Sequence, residues 1–144
     1  MVRMAPDGPE LAGPCGPDPW YIEVREQEDP LEVVGRFARN LMGEPLLVHS
    51  TSWRRARGSV ILSFLVVNHD GQAPELAGIP IGRAALARNS AAAAAVKIGN
   101  EQVLEHALRH LAWLVKDDEV VRSELSDRWK EILGDYMPQP FRNL

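Results

Sequence analysis

Apolar residues alternate from Trp20 to Arg25, with Trp20, Ile22 and Val24 on one side and Tyr21, Glu23 and Arg25 on the other, the period of a half-buried strand. The period then changes. Asp29 stands as an N-cap, Pro30 takes the first helical position and Glu32 falls where a capping box needs it. Leu31, Val34, Phe37, Ala38 and Leu41 follow at helical spacing until Gly43 and Pro45 stop the element.

Leu46 to Trp53 and Ser59 to His69 are rich in β-branched and aromatic residues and are joined by Arg54-Arg55-Ala56-Arg57-Gly58, which predicts a hairpin. The second strand is apolar on both faces, with Val60, Leu62, Phe64 and Val66 against Ile61, Leu65 and Val67. That pattern predicts a central strand covered on both sides. Residues 70–99 hold no sustained period. Because a structureless connection of that length is rare in a compact domain, a short helix is expected within it.

Two helices are expected to close the chain, the first over 100–116 and the second over 118–133. The second is capped by Asp117 or Asp118, stopped by Gly134, and buries Val121, Leu125, Trp129 and Ile132. The prolines of Met137-Pro138-Gln139-Pro140-Phe141 end helical structure, and Phe141 is expected to dock on the surface. The stretch 1–19 carries five prolines and three glycines, so it reads as a disordered leader ahead of a single domain over 20–144. The fold class is α+β: a small, mainly antiparallel sheet packed with one N-terminal helix and a C-terminal antiparallel helix pair.

Composition narrows the function classes. A chain of 144 residues with 45% hydrophobic and 25% charged residues can build a core without staples. Its one cysteine forbids an intrachain disulfide and multi-thiolate metal sites, in keeping with a cytoplasmic location. The net charge of -4 argues against nucleic acid as a partner. No secretory h-region is present and no apolar run reaches the roughly 18 residues of a membrane helix, so no membrane partner is expected. Leu11-Ala12-Gly13-Pro14-Cys15 falls short of a lipoprotein box, because Pro14 interrupts it and no hydrophobic run precedes it.

Candidate chemistry concentrates in two places. On the first C-terminal helix, at about 100° of rotation per residue, Leu104, Ala107, Leu108, Leu111, Leu114 and Val115 form the apolar stripe, while Glu105, Arg109 and Lys116 are expected to be solvated. His106, His110 and Trp113 share a third sector, which reads as an interface flank of a domain or dimer surface with Trp113 as its anchor. Two imidazoles four residues apart can also hold zinc if His49 or His69 supplies a third ligand. The zinc-protease pattern itself is absent, since Ala107 stands where its glutamate belongs.

The second place is His49-Ser50-Thr51-Ser52-Trp53-Arg54-Arg55. Alternation groups His49, Thr51 and Trp53 on one face as a ligand surface, or as an edge strand kept polar, with Trp53 covering the core. Arg54, Arg55 and Arg57 can grip an anion through forked hydrogen bonds. No Gly-x-Ser-x-Gly elbow and no phosphate-binding glycine loop occurs, so no catalytic residue is assigned.

The hairpin region Leu46 to Val67 resembles the opening strands of a Nudix-type sandwich. Arg25-Glu26 is followed by no paired glutamates, however, so the magnesium-holding helix is missing. The runs His49 to Arg54 and His106 to Ala112 resemble those of an uncharacterised protein family of high-GC bacteria, a resemblance that implies no activity. The residues together point to a soluble, non-catalytic module that binds a protein partner or itself, with a homodimer as one form and no cofactor. The alternatives are a metal-dependent hydrolase or zinc-binding protein using His106 and His110, and an anion-binding module using Arg54, Arg55 and Arg57.

Overall fold

A computed structural model of the chain describes residues 1–16, 18–72, 75–82 and 99–136. Most of 70–99, where a short helix is expected, and the docking of Phe141 lie outside these residues. The described chain is α+β, with a mostly antiparallel five-stranded sheet, an early helix and a C-terminal helix pair. It divides into two compact units, Met1–Ile81 and Gly82–Leu144. Among the described residues no helix is long and apolar enough to cross a membrane.

The first unit holds strands β1 (Val2–Ala5), β2 (Gly8–Ala12), β3 (Leu47–Ala56), β4 (Ser59–Val67) and β5 (Gly78–Pro80), in the spatial order β3-β4-β1-β2-β5, together with helix α1 (Pro30–Met42). β1 and β2 correct the expectation of a disordered leader. Val2 and Met4 alternate inward and are buried, which outweighs the prolines. Pro9 still serves the ladder, because its carbonyl accepts from Ile81 N–H and only its donor is lost. The registered pair Arg3 and Glu10 closes the β1–β2 ladder with an ion pair at 3.0 Å.

Trp20 to Arg25 is not a strand. The alternation is real, with even-numbered residues half-buried and odd-numbered ones exposed, but the segment joins no ladder. It packs by side chains, Trp20 meeting Phe37 of α1 edge-on at 6.2 Å. Helix α1 begins as its sequence dictates, Asp29 accepting from Leu31 N–H at 2.7 Å with Pro30 behind it. Its fully buried line is Val33, Gly35, Ala38 and Met42, whereas Leu31 remains exposed.

In the second unit, α2 (Asn100–Asp117) packs against α3 (Glu119–Glu124) and α4 (Asp127–Gly134). The second closing helix is therefore two helices. Leu125 and Ser126 adopt extended backbone, and Ser126 caps a new start by accepting from Trp129 N–H. Leu125, Trp129 and Leu133 are buried with Leu108 and Leu111 of α2. One polar residue joins them: Glu105, expected to be solvated, is 2% exposed and accepts from Arg109 Nε at 2.9 Å. The ion pair one turn apart lets a charged residue enter a buried position.

Candidate functional site

The hairpin β3–β4 is built around a turn the sequence can only just make. Arg57 (φ 49°) and Gly58 (φ 85°) both have positive φ and join Ala56 to Ser59, the signature of a two-residue type I′ loop whose twist matches its strands. β3 runs further than expected, with Arg54, Arg55 and Ala56 inside it, while β4 ends at Val67, short of the expected His69.

Thr51 reorganises the strand. Ser50 pairs with Phe64 and Ser52 with Ser63, so Thr51 is the extra residue of a β-bulge. It is buried, and its hydroxyl donates to Ser63 O at 3.2 Å. Each bulge residue reverses the in–out phase beyond it. The common ligand face of His49, Thr51 and Trp53 is thus corrected: His49 shares a face with Leu65, Ser63 and Arg54, while Trp53 shares the opposite face with Leu62, Val60 and Arg55. His49 is half-buried, and desolvation lowers its imidazole below the ordinary 6.5.

Trp53 does not cover the core; it is 68% exposed. Neither is β4 covered on both faces. Its inner end, Leu65 to Val67, is buried, but Leu62 and Val60 are 42% and 58% exposed. Topology explains the contrast. β1 meets β4 at Val2↔Val67, the last residue of the strand, so among the described residues Ser59 to Val66 pair with β3 alone. Among the described residues the outer hairpin is a two-stranded arm with no further strand on either backbone edge. Of the six exposed large hydrophobics among the described residues, three sit together on one face of this arm, Trp53 directly opposite Leu62 and Arg55 opposite Val60. A contiguous apolar patch rimmed by charge is the form a docking surface takes, unlike scattered single residues.

The charges are equally distinctive. Residues 47–67 contain three arginines and no aspartate or glutamate. Arg3, Arg36, Arg39 and Arg109 are each in an ion pair, and Arg122 bonds the Val115 and Lys116 carbonyls. Arg54, Arg55 and Arg57 are exposed, and none of them is in an ion pair among the described residues. Val60 and Leu62 are the site residues that sequence reasoning missed. Their signal was present as a strand apolar on both faces beside a polar, arginine-rich neighbour.

The second candidate region lies on α2. His106 and His110 stack edge-to-face with ring centroids 4.7 Å apart, as their spacing requires, and both they and Trp113 are half-buried. His49 and His69 belong to the first unit. Among the described residues no group of three or more His, Cys, Asp or Glu side chains is placed to hold a metal ion. The two imidazoles supply two of the three protein ligands that a catalytic zinc site needs. Compared with protein-family models, curated proteins and solved structures, the chain matches none.

Proposed function

We propose that this chain is a binding module that engages a protein partner through the outer β3–β4 arm. One observation carries the reading: Trp53 and Leu62, paired across the arm, both face solvent beside Val60 on a hairpin whose three arginines have no ion pair among the described residues. Tryptophan and arginine are among the residues most enriched where binding energy concentrates. A chain with no use for the patch would lose little by making those positions polar, since their burial contributes little to the fold.

The flank of His106, His110 and Trp113 is the second docking surface by composition. Its half-buried side chains offer less free area than the arm, so it ranks behind it. A photo-crosslinking amino acid at Val60, in cells expressing the full chain, tests the assignment. A discrete adduct at Val60 that is missing when the probe stands at exposed Tyr21 is the expected result. No adduct at Val60, or the same products from both positions, overturns it.

A further inference from the structure

We infer that the occupant of the arm is an acidic polypeptide segment in extended conformation, added as a new strand along the free edge of β3. The inference rests on the arm being the binding surface and goes on to state the chemistry of its partner. Three features converge on it. Among the described residues β3 is the outermost strand of the sheet, so its outer backbone groups have no neighbour in that ladder and can receive an extended chain. Beyond Thr51 the strand presents Trp53 and Arg55 on one face and Arg54 on the other. The segment 47–67 has three positive charges and no negative one, while the rest of the chain carries thirteen basic against twenty acidic residues.

An added antiparallel strand follows the same alternation as its neighbour. Its residue opposite Trp53 lies on the patch, the one opposite Arg54 lies on the far face, and the one opposite Arg55 returns to the patch. The matching sequence, read in its own chain direction, is acidic, acidic, apolar. The apolar residue packs on Trp53, which lies between it and Leu62, and the two carboxylates meet Arg55 and Arg54.

The charges also select against other occupants. Arginine on an edge strand disfavours pairing with a like-charged edge, so a second arm of the same chain meets repulsion where an acidic strand meets complement. A nucleic acid would use the three cations but gain nothing from Val60 and Leu62, and it would approach a chain of net charge -4.

The test uses the full chain and a fluorescein-labelled, terminally blocked peptide of about ten residues, alternating threonine and valine around a central Asp-Glu-Phe. Anisotropy should report binding that weakens with added salt. The R54E/R55E variant should lose it by about tenfold or more and bind a Lys-Lys-Phe counterpart instead, and W53S should lose both peptides. R54Q/R55Q, which removes charge without reversing it, covers the case in which the double reversal does not fold. Equal affinity of the parent for the two peptides overturns the inference. So does an oligothymidylate that binds more tightly than the Asp-Glu-Phe peptide with the same arginine dependence, or a Val60 adduct consisting of two copies of this chain. A heterologous adduct at Val60 without peptide binding removes the acidic occupant alone. Absence of both removes the arm reading as well.

Discussion

Trp53 of β3 stands directly across from Leu62 of β4, and the pair faces solvent on a part of the hairpin that no third strand among the described residues supports. A cross-strand aromatic–aliphatic contact on an open face is worth about 0.2–1 kcal/mol, whereas truncating a core tryptophan costs about 3–5 kcal/mol. Trp53→Thr should therefore lower the urea unfolding free energy by less than about 1 kcal/mol, and Trp129→Ala, at a fully buried ring, by several times that. A loss near 3 kcal/mol for Trp53→Thr would mean that its ring covers the core.

The Glu105–Arg109 pair combines a buried carboxylate with a guanidinium that keeps 17% exposure. Removing one partner of a buried pair leaves the other charge poorly compensated, at a cost of about 3–5 kcal/mol. Arg109→Met should fall near the lower end because the guanidinium is partly wet. The double variant Glu105→Leu with Arg109→Met should recover much of the loss, and a denaturation cycle over the four proteins measures the difference. Additive losses would mean that the two side chains do not support each other.

Two caps open the short C-terminal helices with different strength. Asp118 accepts from both Val120 and Val121 N–H, at 2.8 and 3.1 Å, while Ser126 accepts from Trp129 N–H at 3.5 Å. Asp118→Ala should cost about 1 kcal/mol or more and Ser126→Ala about 0.5 kcal/mol. Thermal melts of the two variants in one buffer order them, and the reverse order would contradict this account.

Desolvation holds the His49 imidazole below 6.5 in the folded chain. Above that pH the side chain is neutral in both the folded and unfolded states and contributes no pH dependence. As pH falls below 6.5 the unfolded chain takes up the proton first, so stability declines until the folded-state value is passed and then levels off. His49→Gln should flatten the melting temperature between pH 7 and 5 relative to the parent. An unchanged slope would assign the dependence to other groups.

Much of the architecture was legible from local chemistry. Asp29 and Pro30 announce α1, and the β-branched runs flanking Arg57-Gly58 announce the hairpin, because caps and turns are decided by neighbours within four residues. What depended on distant partners was misread. The prolines near the start suggested disorder, yet Val2 and Met4 find burial in a sheet whose other strands lie far along the chain. The face assignments of Glu105 and of Trp53 failed for two separate reasons. A charged side chain can enter a buried position beside a matched neighbour, and one inserted residue inverts a strand's alternation without any mark in composition. The sequence named the arm's arginines as candidates, but the apolar half of the surface needed the topology, which among the described residues leaves β4 supported only at its inner end.

The bulge at Thr51 also sets a rule for how β3 tolerates change. On the inner side of Thr51, the odd-numbered Leu47 and His49 belong to the more protected face and the even-numbered Val48 and Ser50 to the other; on the outer side the parity is exchanged, so Ser52, Arg54 and Ala56 continue the first face and Trp53 and Arg55 the second. Deleting Thr51 would remove the extra residue and leave Ser52 to Ala56 opposite the same partners in β4, with the indole on the face it holds now. A residue lost at the bulge is absorbed there, whereas one lost from the regular ladder on either side would invert the strand beyond it.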